Sequence, residues 1–350
     1  MRRAVRVLFL TTALAPDEPS PAGQLHADWL RDLRRHHLVD VVAGYRRDRR
    51  LIPSQALGVD LCGKRGVGAA WALRRAAWRR ARTFGPDVVV TTAPAAPRCG
   101  VPAVALLADL PDPADRLVTR ARLSRLAGFA RVLVPADAVR DALVDLGLPA
   151  ERVLVSPPGA AAVRRSPPDG DTLRLLCSGP IGPAHGQHLA IDAVSRLSPV
   201  EKARVHLRIT GHVEDPVYLG HLRVQAHGQP VALQPDADGP TDPLVGAHLL
   251  LALPLRAPAT HTPLARALVS GVPAAWSDLP GVRALTEGLG LPVPPNDVLA
   301  VRDIIRRLLD DEPTVAAEAA ALAEVARARL GLASAEARLK AVIDSVTSEP

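Results

Sequence analysis

Lysine, cysteine and aromatic residues are all scarce in this chain of 350 residues. Only Lys64, Lys202 and Lys340 are lysines, so the formal charge of +7 comes almost wholly from arginine. Three cysteines without CxxC spacing argue against a disulfide framework or a zinc site, and they favour a reducing cytoplasm. With 3% aromatic residues there is little from which to build a base-stacking surface, so nucleic acid is not an expected partner.

Long apolar runs are missing as well. No segment reaches the roughly 18 uncharged apolar residues that a transmembrane helix needs. The N-terminal run has two interpretations, a short signal peptide or a first buried strand. Because Arg6 interrupts the run, we expect a strand within Val5–Thr12. The sequence therefore predicts a soluble protein, cytoplasmic and at most peripheral to the inner face of a membrane.

What the chain does contain is a regular alternation of short apolar runs with helical segments. This pattern is typical of parallel sheets covered by crossover helices. The predicted strands of the first half are Val7–Thr11, Val39–Ala43, Val88–Thr92, Val104–Leu107 and Val132–Pro135. The predicted helices there are Leu25–His36, Val67–Arg82, Arg116–Ala127 and Ala138–Leu146.

A second series of the same kind follows a stretch rich in Pro, Ala and Arg near residues 157–171, which we interpret as a linker. Its predicted strands are Leu173–Ser178, Val205–Ile209, Val231–Leu233, Leu249–Leu253 and Ala274–Ser277, and its helices are Gln187–Leu197, Pro216–Gln225, Pro263–Ser270 and Val298–Leu309. We expect an N-terminal domain of residues 1–165, to which a C-terminal helix in 334–350 returns, and a second domain of residues 166–333. A ligand is expected between them, at the carboxyl ends of the strands.

Several short motifs resemble those of the family 4 retaining glycosyltransferases in order and spacing. They are Pro21-Ala22-Gly23-Gln24, Gly147-Leu148-Pro149, Ser156-Pro157-Pro158-Gly159, Cys177-Ser178-Gly179, His185-Gly186, Arg208-Ile209-Thr210-Gly211, Ser270-Gly271-Val272-Pro273, Ser277-Asp278-Leu279-Pro280-Gly281-Val282-Arg283 and Pro294-Pro295-Asn296-Asp297. The resemblance covers nearly the whole chain. It implies an α/β protein of the GT-B fold, in which two Rossmann-like domains turn parallel sheets toward an inter-domain cleft.

The chain departs from that family where the family carries charge. The Arg and Lys that neutralise the donor pyrophosphate in the family correspond here to Pro180 and His185, and its two glutamates correspond to Pro258 and Arg266. Ala284 replaces a further acid. On the acceptor side Ala108 replaces a histidine, although Asp109 beside it remains. A departing diphosphate needs fixed positive charge or helix dipoles, so these departures weaken the case for catalysis.

By this resemblance the candidate donor-binding residues are Gly23, Gly179, His185, Gly186, Arg256, His261 and Arg266, and the acceptor-side candidates are His26 and Asp109. Glycine lets a diphosphate approach backbone amides, although a tight turn is the favoured explanation of any one of these glycines taken alone. Arg256, His261 and Arg266 are interpreted as a substitute source of positive charge. Arg266 could grip a phosphate, or it could be a solvated arginine on a partly exposed helix.

One helix carries a separate signal. Residues 69–82 place Trp71 and Trp78 seven positions apart among several arginines. A basic amphipathic helix of this kind can lie on an anionic membrane. The interpretation favoured by the sequence is that both tryptophans pack on the first sheet while the arginines are solvated, with membrane contact as the alternative.

Three functions remain open at this point. The first is a glycosyltransferase that moves a sugar from a nucleotide-sugar to a small molecule or glycan with retention. The second is a catalytically inactive relative, a pseudo-glycosyltransferase that serves as a binding or partner subunit. The third is a sugar-nucleotide epimerase or hydrolase, which the lack of acids disfavours. No cofactor or metal is expected, because the eleven histidines form no recognised ligand motif.

Overall fold

The computed structural model describes residues 4–12, 14, 21–46, 48–62, 66–92, 99–107, 125–157, 159–164, 166, 171–235, 242–256 and 261–348. The chain divides into two compact units. The first contains residues 1–159 and 333–350, and the second contains residues 160–332. The domain boundary predicted after residue 165 lies a few residues beyond this division.

The first unit is built on a parallel sheet. Its strands are β1 Arg6–Thr11, β2 Leu38–Tyr45, β3 Leu57–Asp60, β4 Val88–Thr91, β5 Ala103–Leu106, β6 Arg131–Val134 and β7 Val153–Val155. They lie in the order β3-β2-β1-β4-β5-β6-β7, so the strand order reverses between β1 and β4. The described helices that connect them are α1 Pro21–His36, α2 Gly66–Phe84 and α3 Asp137–Asp145.

The second unit repeats this plan. Its strands are β8 Leu173–Ser178, β9 Val205–Gly211, β10 Val231–Pro235, β11 Leu249–Ala252, β12 Ala274–Ser277 and β13 Leu291–Val293. Their order is β10-β9-β8-β11-β12-β13, again all parallel, and it reverses between β8 and β11. The helices are α4 Gln187–Ser195, α5 Pro199–Ala203, α6 Pro216–Ala226, α7 Thr262–Ser270, α8 Pro280–Thr286, α9 Val298–Asp310 and α10 Glu312–Leu330.

A last helix, α11 Leu332–Ser348, belongs almost entirely to the first unit. Its Leu339, Ile343 and Val346 are buried in the same core as Val7 and Phe9 of β1. The central strands are apolar throughout because helices cover both faces of each sheet; all four residues of β4, for example, are buried. This burial explains why continuous apolar runs, rather than alternating ones, identified the strands.

The structure also contains elements that the sequence did not predict. The strands β3, β7 and β13 are short, and β13 includes a proline, which weakens the apolar pattern. The motif that starts at Ser277 begins on the last residue of β12 and continues into α8, with Pro280 at the first helical position, where its missing N–H costs nothing. The helix predicted at 116–127 lies almost wholly outside the described residues.

Part of the predicted linker is packed onto the second unit. Ala160 is buried and forms a parallel bridge with Gly331, and the backbone N–H of Val163 donates a 2.9 Å hydrogen bond to Ser270 Oγ. The described part of this stretch is therefore held by structure instead of being a free connection.

Candidate functional site

The candidate site lies at the carboxyl edge of the second sheet, where the strand order reverses between β8 and β11. In open α/β sheets ligands bind at such reversal points. Gly179 follows β8 directly and has φ +141°, a conformation that side chains rarely adopt. A Cβ placed on Gly179 would meet no atom of the described chain within 4 Å. The backbone therefore demands glycine here, and the space beside it is open.

Gly186 is required for a different reason. It has φ +71°, and an added Cβ would lie 1.9 Å from the carbonyl oxygen of Leu253, just after β11. Close packing of this loop against the neighbouring strand therefore explains Gly186 without any ligand. Gly211, at the end of β9, is similarly constrained, because its Cβ would lie 1.8 Å from the Gly179 carbonyl oxygen.

A 3-10 helix, Pro183–His185, lies between Gly179 and Gly186 in the sequence and carries His185 at its end. Its Nε2 lies 2.9 Å from Glu214 Oε2, and the other carboxylate oxygen of Glu214 lies 3.7 Å from His212 Nε2. The carboxylate thus faces two imidazoles. Any positive charge that His185 carries is already compensated by Glu214, so the position offers a diphosphate less attraction than a free lysine would.

His261 precedes α7 and caps it. The backbone N–H of Leu264 donates a 3.3 Å hydrogen bond to His261 Nδ1, which satisfies one of the free donors of the first helical turn. Burial, together with the neighbouring His185, lowers the pKa of His261 to about 4. His261 is therefore neutral at pH 7 and contributes no charge to a phosphate site at that pH.

Arg266, one turn further along α7, forms an ion pair with Asp242. Both side chains are partly buried. To bind a phosphate, Arg266 would have to exchange this carboxylate for it. Arg256 is exposed just after β11. Of the three residues interpreted as a substitute source of positive charge, Arg266 is therefore paired with a carboxylate, His261 is neutral and Arg256 is exposed.

The structure adds polar groups that the sequence did not single out. Gln187, at the start of α4, is 2% exposed, and its Nε2 donates a 2.6 Å hydrogen bond to the Pro180 carbonyl. Its Oε1 has no hydrogen-bond partner among the described residues, and the same is true of Ser277 Oγ at the end of β12. Gln187 lies in the segment that follows β8, and Ser277 is the last residue of β12. Glutamine and serine are too common in turns for sequence alone to identify them.

The start of α4 has a related property. Gly186 is its N-cap and provides no side-chain hydrogen bond. Helix N-termini attract anions through free N–H groups and the helix dipole. One of the early N–H groups, that of His188, donates to the Tyr218 hydroxyl at 3.1 Å, and His188 Nδ1 lies 2.8 Å from the same oxygen. This contact fixes the helix start against α6.

The acceptor-side candidates lie in the first unit. His26 of α1 is buried, its Nδ1 lies 3.1 Å from Thr11 Oγ1, and its ring stacks on Trp29 with centroids 5.8 Å apart. The motif Pro21-Ala22-Gly23-Gln24 resembles the glycine-rich turn after the first strand of family 4 glycosyltransferases, but here it forms the first turn of α1, so Gly23 is helical and the turn that the resemblance implies is wrong. Asp109, with Ala108 and Pro258, lies outside the described residues. Ala284 is part of α8.

The helix α2 corrects another prediction. Trp71 and Trp78 do not pack on the sheet: their side chains are 62% and 48% exposed. The core face of α2 is formed instead by Ala69, Leu73, Ala77 and Ala81.

No helix in the described part of the chain is long and apolar enough to cross a membrane. In that same part, no group of three or more His, Cys, Asp and Glu residues is placed to hold a metal ion.

Comparison with known proteins agrees with this geometry. Residues 172–311 match the sequence model of a family described as "Glycosyl transferases group 1". No curated protein sequence matches the chain significantly. Among solved structures, HepE from Anabaena in complex with UDP and glucose superposes with a TM-score of 0.76 and 16% identity, covering 97% of this chain and 100% of HepE.

Two further structures are similar over comparable lengths. A glycosyltransferase from Rickettsia africae has a TM-score of 0.76 at 10% identity, with full coverage of both chains. WaaG, a glycosyltransferase involved in lipopolysaccharide biosynthesis, has a TM-score of 0.73 at 16% identity, covering 96% of this chain and 99% of WaaG. The predicted α/β class and GT-B fold are thereby confirmed. The family model falls on the second unit, which contains the candidate site.

Proposed function

We propose that this protein binds a nucleotide-activated sugar at the carboxyl edge of its second sheet and transfers the sugar to a small molecule or glycan. The observation that carries the proposal is the open space beside Gly179, at the reversal point of the sheet and next to the start of α4, which lacks a side-chain cap. A diphosphate requires backbone N–H donors, such as those at a helix start, with no bulky side chain beside them. The N–H of Gly179 already donates to the Thr210 carbonyl at 3.1 Å, so Gly179 contributes space and not a donor. Retention of configuration and membership of family 4 are part of the proposal, on the resemblance of the motifs.

Two lines of comparison support a nucleotide-sugar as the ligand. The family match covers the unit that contains this edge. HepE, which shares the fold, has been crystallised with UDP and with UDP-glucose. Because HepE is 16% identical to this chain, it supports the class of ligand and leaves the base and the sugar to experiment. No cofactor is proposed.

A catalytically inactive binding or partner subunit is the second candidate, and a specific observation favours it. Among the candidate residues, Arg266 is paired with Asp242, His185 faces Glu214, and the depressed pKa of His261 leaves it neutral at pH 7. A diphosphate leaving group therefore finds little free positive charge among them, which would slow bond cleavage more than it weakens binding.

Calorimetric titration with UDP-, GDP- and dTDP-sugars, followed by a donor-hydrolysis assay without acceptor, tests both candidates. A transferase should bind at least one donor and release its sugar slowly to water. Binding of a donor with neither hydrolysis nor transfer to any of the acceptors offered would favour the inactive subunit. If the folded protein binds none of the donors, the nucleotide-sugar proposal is wrong.

The proposal includes a location, the cytoplasm at the inner face of a membrane. The exposed tryptophans and arginines of α2 support peripheral contact with a membrane surface rather than a transmembrane helix.

A further inference from the structure

Helix α2 presents two tryptophans to solvent on the side away from the core. Trp71 and Trp78 are seven residues apart, whereas the buried stripe of the helix runs through Leu73 and Ala77. At 100° per residue the two tryptophans lie within about 20° of each other around the helix axis and roughly 120–140° from the middle of that stripe. The other tryptophans of the chain, Trp29 and Trp276, are buried.

Arginines cover these exposed rings. Arg75 Cζ lies 5.5 Å from the centroid of the Trp71 ring, and Arg82 Cζ lies 4.8 Å from that of Trp78. Each pair is four residues apart, so guanidinium and indole alternate along one face of the helix. Such an arrangement has an apolar body and a cationic margin, as interfacial helices do.

The positive charge of α2 is not neutralised by acidic residues of the same helix. Its 19 residues include five arginines and no Asp or Glu. Arg80 pairs with Asp40 of β2. The other four, Arg74, Arg75, Arg79 and Arg82, form no ion pair with any carboxylate of the described residues and are exposed. Their charge is free for an anionic partner.

A groove of about 570 Å³ adjoins this face, between α2 and the edge strand β3. Ala72 and Ala76 line it from the helix, Leu57 and Val59 from the strand, and Arg79 and Asp60 add charge. Leu57 is itself exposed. Apolar walls with an arginine among them suit an acyl chain and its phosphate headgroup together.

We propose that the face formed by α2 and β3 docks on an anionic lipid bilayer, with Trp71 and Trp78 in the headgroup region and the four unpaired arginines against lipid phosphates. This inference rests on the proposed peripheral location and does not depend on glycosyl transfer. Pairing of β3 with a strand from another chain would not account for the excess of arginine. Lipid phosphate accounts for both the tryptophans and the charge.

The test is sedimentation of the full chain with vesicles of phosphatidylcholine alone and with added phosphatidylglycerol, at low and high salt. We expect binding to the anionic vesicles at least tenfold stronger than to the neutral ones, weakened by salt, with a blue shift of tryptophan fluorescence. Trp71→Ala with Trp78→Ala, or Arg75→Glu with Arg82→Glu, should each reduce that binding at least tenfold. The matched control, Arg223→Glu with Val224→Ala on an exposed part of α6, should leave it unchanged.

Equal binding to neutral and anionic vesicles, or no binding to either, would overturn the proposal. Loss of binding in the α6 control would do the same, because it would show that the face is not specific. If the protein sediments as a dimer that the α2 variants dissociate, and no vesicle binding occurs, the face is a self-association surface instead. Donor titration of each variant separates the two proposals, since neither α2 change touches the second unit.

Discussion

Asp32 offers a prediction whose size follows from the structure. It lies on α1 and is 3% exposed, and its Oδ1 has no hydrogen-bond partner among the described residues. Burial, followed by repulsion from Glu336, raises the pKa of Asp32 to about 6 from 3.8, against a smaller opposing effect of Arg31. The folded protein therefore holds this proton more tightly than the unfolded chain does.

The sign and size of the effect on stability follow from linkage. Between about pH 4 and pH 6 the folded state binds more protons at Asp32, so this group lowers the free energy of unfolding as the pH rises through that window. A rise of about two in the pKa corresponds to about 3 kcal/mol in the free energy of unfolding, because each pKa unit corresponds to about 1.4 kcal/mol. The full cost is present at pH 7, where the buried carboxylate is ionised.

Asp32→Asn removes this charge, and urea unfolding at pH 4 and pH 7 measures the result. The gain in stability of the variant over the wild type should be about 3 kcal/mol larger at pH 7 than at pH 4. Comparing the two pH values cancels effects of the amide itself. A pH-independent difference for Asp32→Asn would refute the reasoning.

Two further predictions concern the second unit. Gly186→Ala should lower the free energy of unfolding by at least about 3 kcal/mol, because its Cβ meets the Leu253 carbonyl. Gly228→Ala, at nearly the same φ but in open space, should lower it by about 1–2 kcal/mol. Equal losses for the two variants in urea unfolding would show that packing is not the reason. If Arg266 grips phosphate, Arg266→Ala should weaken donor binding in calorimetry and Asp242→Asn should strengthen it; unchanged affinity in both would leave Arg266 a purely structural partner of Asp242.

The framework of the fold could be predicted because its physical signals are local. Leu173–Ser178 and Ala274–Ser277 have the same bounds in the sequence prediction and in the structure. Strands that are buried on both faces must be continuously apolar, and turn residues mark their ends. Short edge strands such as β3 and β13 bury less, so their sequences carry a weaker pattern.

The site was harder to predict because its contacts join distant residues. The pairing of Arg266 with Asp242 spans 24 positions, and nothing local in either segment indicates it. The orientation of α2 failed for a related reason. Its core stripe is mostly alanine, whereas side-chain size favours Trp71 and Trp78 as the buried face. Small residues suffice where a helix lies close to a sheet.

We propose above all that the edge of the second sheet at Gly179 binds a nucleoside diphosphate. Calorimetric titration of the wild type with UDP, GDP and dTDP, repeated with Gly179→Ala and Gly228→Ala, tests it most directly. In the wild type neither glycine has an atom within 4 Å of where a Cβ would stand. We expect binding of at least one diphosphate, weakened at least about tenfold by Gly179→Ala and unchanged by Gly228→Ala. No binding to the folded wild type, or an equal effect of both substitutions, would contradict it.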